Sequence, residues 1–549
     1  MPSVAAGLRL DYVSPLPPVR SGVADYSRDL LPHLARRPEL GELRVVRLPG
    51  QPVAAELDER WSPVEAGETG ADGRLPLYQM GNNRYHEAVL DLAMERPGVL
   101  VLHDLVLHHL AVERTLSRGV FDPYLEQLVA DHGWVGRAVA TTRRWGGYSD
   151  AGLFALPAHR TLLRRQRGVL VHSAWAAGLL AEEDAELAVR VVPMGVPLPA
   201  DAGPPRGETA RRARRELGLP EDAPVLGSFG FQTPIKRTLA SVRALAAPGL
   251  ERVHLLVVGE VAPQVDLAGE AERLGVAARV TVTGFVDYAR FERALAACDL
   301  AVNLRHPTAG ETSASLLRLL AAGRGSLVSD YAQFAELPAE VAVRVPLGDE
   351  EVPALAALLP ALLDDGERLA AMGEAARRLV TRDHDPATAA AAVATACVEL
   401  ADRQPPGDRP AAPPPASTVA CRRLDGEIVV AGAEAPWPAG ERRRLALTVT
   451  NHGACRWLAA RRGPGGVAFE VRLAAGVADH PGAEVDPDAG RPWLPLPRDL
   501  APGEREVIEL DLRRPPGPAR LLVEPVVLTD DAGTVVERAG ESGCEVVLP

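Results

Sequence analysis

The run Val225-Leu-Gly-Ser-Phe229, followed by Gly230-Phe-Gln-Thr-Pro-Ile-Lys-Arg237, decides how the chain is read. A short apolar run that ends in a Gly/Pro-punctuated turn reads as a buried strand leading into a helix, the unit from which parallel sheets are built. The turn carries Lys236, the only lysine among 549 residues; apart from histidine, every other basic side chain is arginine. A compact ammonium at a strand-to-helix turn is well placed to meet a phosphate as a point charge, where an arginine fork demands bidentate geometry. Chance placement of a rare residue accounts for the same fact, and position alone does not choose between them.

The same rhythm extends to both sides. Upstream, strand candidates at 8–14, 44–48, 75–80, 99–103, 169–172 and 189–193 alternate with helical-period segments such as 24–35, 84–95 and 124–141. After a polar, Pro-rich hinge at 198–207 the pattern restarts at 225–229, 253–259, 280–284, 300–304, 325–329 and 341–345, and a helix over 386–403 closes it. Alternation of this kind predicts two consecutive doubly wound α/β domains, at 1–197 and 198–401, whose ligands sit at the carboxyl ends of the strands. Residues 402–418 are rich in proline and read as a semi-rigid linker. Beyond it, 427–431, 443–451, 467–473, 506–512 and 519–528 alternate apolar and polar residues between turn signals, which predicts an all-β, immunoglobulin-like sandwich over 419–549.

Composition narrows the function classes. A net charge of −13 argues against a general nucleic-acid partner or a membrane-coating role, so any anion site is local. The five cysteines (Cys298, Cys397, Cys421, Cys455, Cys544) are odd in number and show no CxxC spacing, as expected of buried thiols in a reducing compartment rather than a disulfide framework or metal site. No charged-then-apolar leader and no uninterrupted apolar run of about 18 residues is present, so a soluble, cytoplasmic protein is expected.

Three constellations stand at strand ends. The loop Ser14-Pro-Leu-Pro-Pro-Val-Arg-Ser-Gly22 enters a helix whose first amides offer an anion site, with Gly22 permitting close backbone approach, although any such turn favours Gly and Pro. Gln79-Met-Gly-Asn-Asn-Arg-Tyr-His86 and Leu100-Val-Leu-His-Asp104 set Asn82, Asn83, His86, His103 and Asp104 just past apolar strands, where they could meet a hydroxylated substrate. His103 beside Asp104 suggests a base with its orienter, but adjacent side chains usually diverge, and a capping Asp with a hydrogen-bonded His fits equally. In Arg305-His-Pro-Thr-Ala-Gly-Glu-Thr-Ser-Ala-Ser315 a strand ends, a turn containing Gly310 follows, and 311–315 is expected to open a helix. A carboxylate, hydroxyls and free amides would thus gather at a helix N-terminus, a place suited to a diphosphate or a sugar.

Taken in order, several stretches make the chain resemble the family-4 retaining glycosyltransferases of the GT-B fold. They are SPLPPVRSGVADYS at 14–27, LHD at 102–104, VHSAWAA at 171–177, VVPMGVP at 191–197, FGFQTPIKR at 229–237, VTGFV at 282–286, RHPTAGETSASLL at 305–317 and SDYAQFAELP at 329–338. The resemblance covers roughly residues 8 to 400. It implies two Rossmann-like domains and a nucleotide-sugar donor, with Lys236 and Arg237 on the diphosphate and Glu311 on the donor sugar. By the same resemblance Gly310 and the amides of Thr312 and Ser313 serve the phosphates, and Gly22 belongs to a loop over the donor. His103 and Asp104 border the reaction centre and a glycan or lipid-linked acceptor.

Two positions depart from that pattern. The family's second carboxylate, eight residues after Glu311, is Leu319 here, and its Gly-Arg pair before the lysine reads Gly230-Phe231; Arg305 could supply the lost charge. A catalytically impaired glycan-binding or scaffold protein of the same fold is therefore the alternative to a hexosyltransferase of polysaccharide assembly. No metal or cofactor is expected: Asp486-Pro-Asp488 imitates a metal motif but falls in the C-terminal domain. Finally, seven arginines between Arg137 and Arg167 face a single Asp150, with Trp145 and Tyr148 interleaved. They read either as a solvated helix face or as a peripheral contact with an anionic membrane or a lipid diphosphate.

Overall fold

In the computed structural model of the chain, the residues described are 7–144, 150–200, 202–407, 426–452, 468–478, 493–498, 500, 503–514, 519–529, 534–538 and 544–548. Thirteen strands build two α/β sheets. The first sheet takes β1 (Leu8–Val13), β2 (Leu40–Arg47), β3 (Val64–Glu65), β4 (Leu75–Met80), β5 (Val99–Leu102), β6 (Gly168–Val171) and β7 (Val189–Val191), in the order β3-β2-β1-β4-β5-β6-β7. The second takes β8 (Val225–Phe229), β9 (His254–Val258), β10 (Val280–Val282), β11 (Leu300–Asn303), β12 (Gly325–Ser329) and β13 (Ala342–Val345), in the order β10-β9-β8-β11-β12-β13. Every pairing in the second sheet is parallel. Both orders are those of doubly wound folds, as the alternating sequence rhythm predicts. The central strands β5, β8 and β12 are buried at every residue, because helices cover both faces of a parallel sheet.

By proximity the chain forms two compact units, one of Met1–Leu75, Leu170–Ala176 and Arg190–Glu399, the other of Pro76–Val169, Ala177–Val189 and Leu400–Pro549. In the first, Asp299 pins the middle of the second sheet. Its Oδ2 accepts from Val225 N at 2.9 Å and its backbone N donates to Val225 O at 2.9 Å, so β8 and β11 start in register. The other carboxylate oxygen takes the buried guanidinium of Arg214 at 2.7 Å, which also donates to Ala297 O and Glu221 O at 2.9 Å. A second buried arginine, Arg324, donates to the carbonyls of Ala202, Gly203, Leu295 and Ala296 at 2.8–3.2 Å and ties the hinge segment to this sheet.

In the second unit the C-terminal strands are antiparallel and follow a period of two, as the sequence predicts. Arg442–Asn451 and Arg505–Arg513 alternate inward Leu445, Leu447, Val449, Ile508 and Leu510 with outward polar residues. They form one sheet with Gly426–Ala431, while Ala468–Ala478, Trp493–Pro495, Ala519–Thr529, Thr534–Arg538 and Cys544–Leu548 form another; one apolar cluster holds residues of both. The short strands Val64–Glu65, Trp493–Pro495, Thr534–Arg538 and Cys544–Leu548 are not among the sequence expectations. The expected helix at 84–95 is split into a 3-10 turn, Arg84–His86, capped by Asn83, and a helix at Glu87–Glu95. The expected helix at 386–403 ends at Leu400.

Cys298 and Cys397 are free and buried, and burial pushes both thiols up to about 12; Cys421 and Cys455 lie outside the described residues. Among the described residues no helix is long and apolar enough to cross a membrane.

The Asp299–Arg214 pair has a direct consequence. Asp299→Ala strips a buried guanidinium of its partner and frees the start of β8, so stability should fall by about 3–5 kcal/mol, the scale for breaking a buried pair. Chemical denaturation of the variant measures it; a loss under about 1 kcal/mol contradicts the role assigned to Asp299.

Candidate functional site

β8 and β11 are neighbours in the sheet but not in sequence, so the strand order reverses between them, and the carboxyl ends of such a pair are where doubly wound sheets take their ligands. The loops that leave these two strands meet there: His306 N donates to Ile235 O at 2.9 Å. Lys236 closes a 3-10 turn, Pro234–Lys236, and its ammonium donates to the carbonyl of Phe229, the last residue of β8. That fold-back needs Gly230, which sits at φ 94° and where a Cβ would lie 2.5 Å from Lys236 Nζ. Gln232 holds the turn, receiving Thr238 Oγ1–H at 2.6 Å and donating to Gly230 O at 2.6 Å.

Across from it, Arg305 is buried and donates through Nε to Glu311 Oε1 at 3.1 Å. The other oxygen of Glu311 accepts from Thr308 Oγ1 at 2.9 Å and Ala309 N at 3.0 Å, while Gln333 Nε2 donates to Thr308 Oγ1 at 3.0 Å and Glu311 O at 2.6 Å. Gly310, at φ 80°, makes the bend. The carboxylate is therefore fixed in orientation before any ligand arrives.

The electrostatics of this trio are unbalanced: two cations lie beside one carboxylate. The Lys236 side chain as a whole is only partly covered, but its ammonium lies deep in the protein. Desolvation pushes its pKa well below the usual lysine range; Arg305 adds to the fall and Glu311 opposes it. Desolvation also lowers Arg305, again against Glu311. An added anion is what this arrangement lacks.

The other expected residues fall as follows. The helix expected to open at Glu311 begins at Ala314, with Ser313 as its cap: Ser313 Oγ accepts from Leu316 N at 3.3 Å and donates to Asn303 Oδ1 at 3.1 Å. Glu311 and Thr312 therefore belong to the preceding loop, because Thr308 and Ala309 draw the Glu311 carboxylate back. Arg237 turns away from the trio and binds the buried Glu351 through Nε at 3.0 Å and Nη2 at 2.7 Å. Gly22 starts the helix Gly22–Leu34 behind the cap Ser21, and a Cβ there would meet nothing within 4 Å. The same helix reaches the one that Ser313 caps, since Asp29 accepts from Arg318 at 2.8 Å. Leu319, at the position of the missing carboxylate, is buried in an apolar cluster with Phe229 and Cys298, whereas Phe231 is exposed.

His103, Asp104, Asn82, Asn83 and His86 lie in the second unit, at the ends of β4 and β5. His103 and Asp104 turn to different partners: His103 Nε2 lies 2.9 Å from Gln79 Oε1, and Asp104 Oδ2 accepts from Asn82 N at 2.8 Å. Asn82 also contacts His109 Nδ1 at 3.0 Å and caps Leu110 N at 2.9 Å. His86 is fully buried, donates to Gln79 O, and is lowered by desolvation to about 4, so it is neutral at physiological pH.

Sequence reading does not single out Thr308, Gln333, Gln79 or Glu351. The first three stand inside the quoted motifs as polar residues at strand ends or turns, the available signal; Glu351 is 114 residues from its partner and gives none. Among the described residues no group of three or more His, Cys, Asp or Glu is arranged to hold a metal ion, and Asp486 and Asp488 lie outside them. Much of the basic tract is engaged internally: Arg143 and Arg144 lie over Tyr124 and Phe121, Arg164 pairs with Asp184 and Glu186, Arg165 donates to Met94 O and Arg167 to Ala401 O. Trp145 and Tyr148 lie outside the described residues.

No protein-family model matches the chain, and no curated protein matches it in sequence. Solved structures do match. Anabaena Alr3699/HepE, solved in complex with UDP and glucose, superposes with a TM-score of 0.50 and 17% identity, over 71% of this chain and 100% of its own. Sucrose-phosphate synthase from Thermosynechococcus elongatus gives 0.49 and 18%, over 72% and 99%. WaaG, a glycosyltransferase involved in lipopolysaccharide biosynthesis, gives 0.44 and 15%, over 69% and 98%. At its identity the HepE match establishes a shared fold.

The buried charge of Lys236 sets a stability test. Its folded pKa lies below the unfolded value near 10.4, so the native state is penalised at neutral pH, and the penalty fades as pH rises from the folded pKa toward the unfolded one. Lys236→Met should therefore melt at or above the parent temperature at pH 7, with the difference narrowing by pH 10. A variant clearly less stable at pH 7 contradicts the burial of this charge.

Proposed function

We propose that the chain is a retaining glycosyltransferase that moves a sugar from a nucleoside-diphosphate sugar to a glycan or lipid-linked acceptor, in cytoplasmic assembly of a polysaccharide or surface glycan. The observation that carries this reading is the trio Lys236, Arg305 and Glu311 at the reversal point between β8 and β11, cationic in excess and fixed beforehand. Support comes also from the fold shared with a structure solved with UDP and glucose, and, for the retaining outcome, from the sequence resemblance to family 4.

In this reading the bond between the anomeric carbon and the diphosphate oxygen breaks, the acceptor oxygen bonds to the same face of the sugar, and the acceptor's proton leaves on the departing phosphate. Negative charge grows on the diphosphate as positive character grows on the ring. Lys236, once charged, and Arg305 stabilise that transition state more than the ground state, in a site where little water screens them. Glu311, held by Arg305, Thr308 and Ala309, would receive donor-sugar hydroxyls. Gly22 and the amides of Gly310, Thr312 and Ser313 would lie along the donor, and His103 and Asp104 would serve the acceptor. Arg237, spent on Glu351, would hold its turn in place and so act on the phosphate only through Lys236. The chemistry calls for no resident cofactor and no metal.

The C-terminal strands are proposed to form an immunoglobulin-like module, on the strength of two antiparallel sheets sharing one core. A membrane contact through Arg137–Arg167 is left out of the proposal, because so many of those guanidiniums have internal partners.

The test is turnover. Protein incubated with a panel of nucleoside-diphosphate sugars and oligosaccharide or lipid-linked acceptors should release nucleoside diphosphate in an acceptor-dependent way. Lys236→Met should lower the rate by about 10²–10³-fold, the scale for losing one fixed charge-stabilising donor. Undiminished transfer by the folded variant sinks the assignment of the phosphate contact, and hydrolysis independent of every acceptor sinks the transferase reading.

A further inference from the structure

Arg318 is the one charged side chain of the helix Ala314–Ala321, whose Leu316, Leu317, Leu319 and Leu320 are buried. Its charge goes to another helix, Gly22–Leu34: Nη2 donates to Asp29 Oδ2 at 2.8 Å, with the two side chains only 11% and 14% exposed. The other oxygen of Asp29 accepts from Arg28 Nε at 3.0 Å, and Arg28 Nη1 donates to Asp25 Oδ1 at 3.0 Å. Asp29 thus holds one guanidinium on each oxygen.

Both guanidiniums also approach one aromatic ring. Tyr288, the first residue of the helix Tyr288–Ala297, has Arg28 Cζ 5.5 Å and Arg318 Cζ 5.4 Å from its ring centroid. Two guanidiniums so close repel, and a carboxylate bonded to both offsets that repulsion. A further contact joins the same stretches, for Arg20 Cζ lies 4.4 Å from the ring centroid of Phe285. Each of these links is borne by a charge, and Phe285 and Tyr288 remain 58% and 43% exposed. Residues 20–29 follow β1 of the first sheet and residues 285–318 belong with the second, yet all lie in one compact unit.

Asp29 stands about 10 Å along its helix from Gly22, and Arg318 about 6 Å along its helix from Ala314. The ion pair therefore sits within two turns of both helix starts, the ends that carry unpaired amides. We propose that Asp29 and Arg318 are positioning residues: their ion pair, set beside Tyr288 and backed by Arg28, fixes the spacing between Gly22 and the Ser313 cap, so that both meet one nucleoside diphosphate without rearrangement. The identity of the ligand rests on the transferase reading. The coupling of the two side chains rests on the geometry alone. A spacing already fixed in the free protein leaves the ligand less to order, so loss of the pair appears as weaker binding.

Calorimetric titration with uridine, guanosine and adenosine diphosphates tests it. Asp29→Ala keeps a strong helix former and Arg318→Met keeps the apolar stem, so both remove the charge with little else. Each should bind the preferred nucleotide about tenfold more weakly, and the double variant no more weakly than either, because partners in one ion pair do not add. Arg318→Lys restores the charge and should recover most of the lost affinity. Additive losses overturn the proposal, as do unchanged affinities in the single variants or an Arg318→Lys no better than Arg318→Met. Chemical denaturation of the parent, the two single variants and the double variant measures the coupling without ligand; it should be favourable and shrink in about 1 M salt. No coupling overturns the pair whatever the nucleotides do. If the parent binds none of the three, the transferase reading falls and the positioning role with it, while the coupling still decides whether the ion pair joins the helices.

Discussion

Two cations are buried against a single carboxylate, and that imbalance governs the rest of the donor end. Lys236 and Arg305 each lose hydration, and Glu311 can balance only one of them. A protein selected for stability alone would not leave a lysine there, since removing an uncompensated buried charge is seldom harmful to the fold. Its retention makes sense if a ligand supplies the missing negative charge. A diphosphate supplies more of it as the sugar departs, so the imbalance is relieved most at the transition state.

The fold keeps this arrangement in place from beneath. Asp299 sets the register of β8 and β11, and the two loops that carry the cations leave those two strands. Gly230 allows Lys236 to fold back on the end of its own strand, and Arg237 locks the turn through Glu351. On the other side Thr308 and Gln333 hold the Glu311 loop. Little of this relies on the arginine-for-lysine substitution that pervades the rest of the chain: a planar fork at 236 would not fit against the Phe229 carbonyl and Gly230 as a single ammonium does.

How much of this is legible in the sequence depends on the range over which the determining interactions act. Strands buried on both faces announce themselves as apolar runs, so β4, β8 and β12 fall at their expected residues, and the antiparallel C-terminal strands show through their period of two. Boundaries set by a single side chain shift: the 311–315 helix start moves to Ala314, where Ser313 is the cap and Thr308 and Ala309 hold the Glu311 carboxylate in the loop before it. The two-residue strand Val64–Glu65 has too little pattern to register. Lys236, Arg305 and Glu311 can be picked out by residue type at strand ends, but their mutual geometry cannot, and the engagement of Arg237 by Glu351 or of His103 by Gln79 depends on pairings set by the folded chain. The His103–Asp104 dipeptide illustrates the same limit, since its contacts with Gln79 and with Asn82 N reach across to residues more than twenty positions away.

Because the chain holds one lysine, its ammonium can be observed alone. Protein labelled with nitrogen-15 at the lysine side chain should give a single Nζ resonance, whose pH titration reports Lys236 directly. The expected result is a midpoint well below the ordinary lysine value near 10.4 in the free protein, moving upward when a nucleoside diphosphate is added, as the second phosphate charge favours the ammonium. A midpoint at the ordinary value, or one that no nucleoside diphosphate displaces, would contradict the account.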